Sequence, residues 1–124
     1  MTPARLQIDC VTTDETMDVY RRVVGVGGPT LPGIPPPQTR ILAALRRRGL
    51  LRGEHPRWTL SIDEAIDGVL SGKWSFYVHV GAYDVVDVRV ATSPSGRRYL
   101  KTDVDRDTPD ELLFLRQCRD RGIG

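Results

Sequence analysis

Hydrophobic positions along the chain follow two spacings, alternation suited to strands and a 3.6-residue repeat suited to helices. Residues 6–12 alternate loosely and predict a strand with Leu6, Ile8 and Cys10 on one face. A polar turn over residues 13–16 leads to residues 19–26, whose β-branched side chains predict a second strand. It leaves through Gly25, Gly27 and Gly28, where backbone freedom suits a sharp turn. Residues 75–80 alternate with Phe76, Val78 and Val80 on one face and Tyr77 and His79 on the other. Residues 85–91 repeat the pattern, with Val86, Val88 and Val90 opposite Asp87 and Arg89. A turn at residues 93–96 leads to a third strand over residues 97–102, completing an antiparallel meander.

Helical spacing predicts three helices. Residues 38–48 are strong helix formers, starting at Gln38 or Thr39 and closing at Gly49, with Arg46, Arg47 and Arg48 complementing the dipole. Ile41, Leu42 and Leu45 form its apolar stripe, and Leu50 and Leu51 can fold back onto it. Ser61 and Glu64 have the spacing of a capping box, followed by Ile62, Ala65, Ile66, Val69 and Leu70 and ended by Gly72. Thr108 and Glu111 repeat the capping-box spacing around Pro109. That last helix would carry Leu112, Leu113, Phe114, Leu115 and Cys118, with Arg116, Arg119 and Arg121 toward its end. The expected architecture is α+β: a small antiparallel sheet, made of the C-terminal meander plus the N-terminal strands, packed on two or three helices. The length fits one domain spanning residues 1–124. Residues 29–37 hold five prolines and favour an extended path. With the arginine-bearing helix after them, they read as an insertion at about residues 29–57.

Composition changes this picture in three ways. The 18 basic and 16 acidic residues leave a net charge of +2, too small to imply nucleic acid. Sixteen of the basic residues are Arg, and their spread through the chain fits a compositional bias. No apolar run is long enough to cross a bilayer, and the first residues lack the apolar stretch of a secretory signal. The expectation is a soluble cytoplasmic protein without membrane contact. Cys10 and Cys118 cannot build a zinc site alone, and in a reducing cytosol two buried free thiols are expected.

Five groups of residues carry candidate chemistry. Arg40, Arg46, Arg47, Arg48, Arg52 and Arg57 could grip phosphates or a protein partner. Residues 41–60 also look like the helix-then-wing segment of winged-helix DNA-binding proteins, though no separate recognition helix precedes them. Asp103, Asp105 and Asp107 alternate as calcium ligands do, but Thr108 replaces the loop glycine, Phe114 replaces the closing glutamate and Arg106 intrudes. His79 beside Tyr77 could act as a base if Asp87 or Arg89 faced it, with His55 elsewhere in a loop. Gly25–Gly28 follows a strand but leads to Pro29 and no helix, so it lacks the anion site of a phosphate-binding turn. The proline stretch could dock on an aromatic groove of a partner or act as a stiff spacer.

Several motifs occur in a recognisable order: residues 58–61 (Trp-Thr-Leu-Ser), 64–66 (Glu-Ala-Ile), 72–78 (Gly-Lys-Trp-Ser-Phe-Tyr-Val), 99–102 (Tyr-Leu-Lys-Thr), 110–113 (Asp-Glu-Leu-Leu) and Cys118. This set resembles a small bacterial and archaeal family catalogued as a domain of unknown function, DUF3892. Residues 6–10 and 23–28 resemble its N-terminal strands, and residues 29–57 look long for the family. The resemblance implies a compact α+β fold and no assigned activity, cofactor or catalytic residue. Family members tend to carry Asn at the place of Glu111 and Pro at the place of Arg116, and loss of that proline would let the last helix run past Leu115. The reading that follows is a non-enzymatic protein-interaction module using residues 29–57, with no cofactor or metal. The alternatives are a nucleic-acid-binding protein using the same arginines and a small enzyme using His79 or the acidic loop.

Overall fold

The computed structural model describes residues 4–30, 33, 37, 57–81 and 84–118. These residues form two four-stranded sheets rather than one sheet on a layer of helices. The first sheet has the order β1-β5-β6-β7, from Ala4–Gln7 (β1), Trp74–Val80 (β5), Asp84–Thr92 (β6) and Arg98–Thr102 (β7). The expected meander is present as β5-β6-β7, with Phe76 opposite Val88 and Val90 opposite Leu100. The second sheet has the order β4-β3-β2-β8, from Arg57–Ser61 (β4), Val23–Pro29 (β3), Cys10–Thr13 (β2) and Arg116–Gln117 (β8). Each sheet is mixed, because β1 runs parallel to β5 and β2 runs parallel to β8.

The two sheets share one nearly continuous N-terminal stretch. The Ile8 amide donates to the Tyr77 carbonyl at 2.9 Å, extending the β1–β5 ladder. One residue later the Asp9 amide donates to the Gly27 carbonyl at 2.9 Å, and the chain has joined the other sheet. The expected apolar face is real: Leu6, Ile8 and Cys10 are all buried, and Val11 joins them. What alternation could not show is that this face serves both sheets.

The helix Ile62–Leu70 (α1) starts as its capping box predicts. The Glu64 amide donates to Ser61 Oγ at 3.1 Å, and the Ser61 amide donates to Glu64 Oε1 at 3.0 Å. Ala65, Ile66 and Gly68 form its buried side. Trp58 stacks on Phe76 with ring centroids 5.8 Å apart, joining the two sheets, and Trp74 lies 6.3 Å beyond. The indoles of Trp58 and Trp74 donate to the carbonyls of Pro29 and Ala65, so neither aromatic leaves a buried N–H unpaired.

Three expectations about the helices need correction. The α+β arrangement on two or three helices gives way to a mostly β fold, with α1 and the four-residue helix Asp110–Leu113 (α2) as the helices among the described residues. The expected helix over residues 38–48 lies outside them. The last helix stops at Leu113 because Arg116 and Gln117 pair with Cys10 and Val11 instead, so loss of the family's proline does not extend it. Its expected capping box does not form either. Thr108 donates to the Asp110 carboxylate, and the Glu111 amide donates to Asp105 Oδ1 at 3.2 Å, so the cap comes from the preceding loop.

The second strand begins at Val23 rather than residue 19. Asp18 Oδ1 accepts from the amides of Tyr20 and Arg21, which holds the preceding residues in a turn. Asp14 makes a similar turn, and the Thr16 hydroxyl and amide hold its carboxyl below the usual range. The glycines at 25–28 are strand interior and not a turn. They are small because other chain segments pass close by: a Cβ on Gly28 would sit 1.8 Å from the Gln7 carbonyl oxygen.

Candidate functional site

The crossover between the sheets carries the densest grouping of charge and sulfur among the described residues. Asp9 is held there by its amide on β3, which leaves its carboxylate facing the start of β4 and the end of the described chain. Arg57 grips it with both terminal nitrogens, Nη1 at 3.1 Å from Oδ2 and Nη2 on Oδ1. Arg116 Nη2 lies 3.5 Å from the same Oδ2. Two guanidiniums thus meet one carboxylate, in geometry suited to bidentate pairing for Arg57. Arg57 Nη2 also lies 3.6 Å from Cys10 Sγ.

Cys10 is joined to Cys118 in a disulfide, so the expectation of two free thiols is overturned. Parallel pairing of β2 with β8 brings the two Cα atoms to 4.9 Å. The Cys118 amide donates to the Val11 carbonyl at 2.8 Å and fixes the register. The cross-link spans a sequence separation of 108 residues. Closing a loop of that size removes roughly 4–5 kcal/mol of chain entropy from the unfolded state in the loop-closure account.

The expected arginine group is placed in part. Arg57 stands at the first position of β4 and is committed to Asp9. Arg40, Arg46, Arg47, Arg48 and Arg52 lie outside the described residues, as do His55 and the segment likened to a winged helix before residue 57. Of the proline stretch, Pro29 ends β3, while Gly33 and Pro37 are the described positions beyond it.

The histidine reading finds no partner in the expected place. His79 is exposed, lies opposite Val85, and meets Tyr77 edge-on with centroids 5.8 Å apart. Asp87 lies opposite Tyr77 and accepts from Arg5 Nη2 at 2.7 Å, while Arg5 also sits 4.8 Å from the Tyr77 ring centroid. Arg89 turns the other way, to Asp103.

The acidic loop is organised by its own backbone. Asp105 accepts from the Thr102 amide at 2.9 Å and hydroxyl at 3.1 Å, and from the Glu111 amide. Lys101 Nζ donates to the Arg106 carbonyl at 2.8 Å, and the Tyr99 hydroxyl to the Asp107 carbonyl at 2.5 Å. Burial, then the nearby Tyr20, Asp107 and Asp105, raises the Tyr99 hydroxyl above its usual range. Among the described residues, no group of three or more His, Cys, Asp and Glu side chains is placed to hold a metal ion. A depression of about 400 Å³ lies between α1 and the β6–β7 turn, lined by Asp63, Ile66, Asp67, Gly96, Arg97 and Arg98.

Sequence reasoning missed the Asp9 cluster because its members are separated by 48 and 107 positions, and no short motif joins them. The usable signal was the alternation that put Cys10 on a buried face.

Fold and site together define a small two-sheet β domain with a charged, disulfide-linked crossover. A family model described as a protein of unknown function, DUF3892, matches residues 18–116, and the chain belongs to that family. Neither the curated proteins nor the solved structures provide a match. No helix among the described residues is long and apolar enough to cross a membrane.

Proposed function

We propose that this domain is a non-enzymatic protein-interaction module whose binding element is the segment connecting β3 to β4. One observation supports this reading: Pro29 at the end of β3 and Arg57 at the start of β4 are directly paired across the antiparallel ladder, although a long stretch of sequence separates them. A hairpin closed at its base does not need a long connection for its own pairing. The intervening residues are therefore available for another task. They contain the prolines and the arginines Arg40, Arg46, Arg47, Arg48 and Arg52. Arg57, tied to Asp9, closes the base.

Its partner is a protein that accepts an extended proline segment and presents carboxylates to the guanidiniums. We assign the protein to the cytoplasm as part of the same proposal. A reducing compartment would press toward opening of the Cys10–Cys118 cross-link.

The test replaces residues 31–56 by an Asn-Gly turn. The shortened chain should keep its far-UV spectrum and cooperative unfolding and lose the partners captured by the full chain from a cell extract. Equal capture by the shortened chain refutes the assignment. If the full chain instead binds unrelated DNA duplexes with an affinity that falls steeply with salt, and the shortened chain does not, the interaction is with nucleic acid.

A further inference from the structure

We propose that the Cys10–Cys118 disulfide is a reducible clasp, opened by dithiols in the folded domain, and that its opening releases β8 from β2. The inference is independent of the function proposed above. It rests on how little else holds the end of the described chain. Leu112 is completely buried and anchors α2 in the core. Beyond it, Leu113 and Leu115 are partly buried against the core, whereas Phe114, Arg116 and Gln117 are exposed. Among the described residues, the non-covalent ties of this end are the two-residue β2–β8 pairing with the Cys118 amide on Val11, the Gln117 side chain on the Thr13 amide and hydroxyl at 3.3 and 2.9 Å, and the long Arg116–Asp9 contact. A two-residue ladder and exposed polar side-chain contacts contribute little against the entropy of ordering a segment. The disulfide is therefore the tie that decides whether β8 stays in place.

The surroundings of the two sulfurs favour one direction of attack. Cys10 is 2% exposed, whereas Cys118 is half-buried at the edge. Both sulfurs pack over Gly27, where a Cβ would come within 2.9 Å of one and 3.1 Å of the other. An incoming thiolate reaches Cys118 Sγ and forms a mixed disulfide. The Cys10–Cys118 bond breaks, and Cys10 departs with the electron pair as a thiolate beside the Arg57 guanidinium. The second thiol of the reductant then attacks its own mixed-disulfide sulfur, closing a cyclic disulfide and releasing the Cys118 thiolate, which takes a proton from water. The dithiol has lost two electrons and the protein has gained them. With β8 gone, β2 changes from an interior strand to the open edge of its sheet, the kind of edge that accepts another strand.

The experiment treats the oxidised full chain with dithiothreitol in the absence of denaturant. Alkylation and mass measurement count the thiols, near-UV circular dichroism follows packing, and amide hydrogen exchange reports on β8. Two thiols should appear with the packing signal retained. The Cys118 amide should then exchange about tenfold faster or more, while the amides of Leu113 and Phe114 change little. Reduction that requires denaturant, reduction that abolishes the packing signal, or an unchanged Cys118 amide would each overturn the clasp. Arg57→Gln should slow reduction by about threefold or more by removing the charge that stabilises the leaving thiolate. Asp9→Asn, which breaks the same ion pair but keeps the guanidinium, should not slow it. Equal slowing in both variants would remove Arg57 from the step.

Discussion

Replacing Gly28 by Ala tests the central feature of the fold, the close passage of the N-terminal crossover over β3. Gly28 does not need a positive φ, so alanine is acceptable to its own backbone. Its Cβ would nevertheless lie 1.8 Å from the Gln7 carbonyl oxygen and 2.9 Å from Trp58 Cζ2. The carbonyl would have to retreat by about 1.2 Å to reach even the 3.0 Å lower limit of ordinary Cβ contacts. That carbonyl is backbone, fixed by the pairing of Gln7 with Tyr77 and by the next amide, Ile8, on Tyr77. Moving it strains or breaks a buried ladder bond, at a cost of roughly 1–3 kcal/mol. Overpacking against Trp58 adds about 1–3 kcal/mol. Stiffening of the unfolded chain offsets at most about 1 kcal/mol. The net expectation is a loss of about 1–6 kcal/mol, centred near 3 kcal/mol.

Gly25→Ala supplies the control, because it changes the same residue type on the same strand. Its Cβ would meet Leu60 O at 3.3 Å and Thr12 Cβ at 3.4 Å, distances that small shifts can absorb. Its expected change is within about 1 kcal/mol of zero. Equilibrium urea unfolding of the wild type and both variants, read by tryptophan fluorescence and far-UV circular dichroism, measures the difference directly. If the Gly28→Ala loss lies within about 0.5 kcal/mol of the Gly25→Ala value, the crossover does not lie on β3 as described.

Two further outcomes follow from local geometry. Ser61→Ala removes the acceptor for the Glu64 amide and the partner of the reciprocal bond, and should cost about 1 kcal/mol in the same urea assay. No loss would mean that the capping box contributes nothing. Tyr99 should ionise above the ordinary tyrosine value in an absorbance titration. Its folded-state value is raised, so the folded chain retains a proton that the unfolded chain gives up. The stability it contributes is therefore present below the ordinary tyrosine value and lost as pH rises from there toward the folded-state value. Tyr99→Phe should flatten that decline, and an unchanged decline would assign it to other groups.

The sequence was most legible where structure is local. The Ser61–Glu64 cap, α1 and the β5-β6-β7 meander depend on residues within a few positions of each other, and all three appear where periodicity and capping place them. The Thr108–Glu111 spacing was equally legible and misleading. Asp105 takes the Glu111 amide that a serine-type cap would have served, so a carboxylate three residues upstream of Thr108 decides how α2 begins. The same residue explains the acidic loop: its oxygens are occupied by Thr102 and Glu111, and its alternating carboxylates organise a turn. Similar spacing in a sequence thus served a different purpose because the partner came from outside the motif.

The larger misreadings share one cause, the change of partner at Ile8 and Asp9. A reader of alternation sees one strand over residues 6–12 and assigns it to one sheet. The chain instead pairs with β5 up to Ile8 and with β3 from Asp9 onward. Once that switch is made, β3 must run beneath the crossover, which is why Gly27 and Gly28 are glycines in a strand and not glycines in a turn. The switch also exposes the far edge of β2, and the chain end fills it with β8. That pairing ends the last helix early and sets Cys118 against Cys10. Helix length and thiol state are decided by the pairing of β2 with β8, more than 100 residues away, and the glycine at 28 by the passage of Gln7, about 20 residues away, between segments that carry no short motif in common. The Asp9 carboxylate marks the same place chemically, since it faces the β4 arginine that closes the long connection and the β8 arginine beside the clasp.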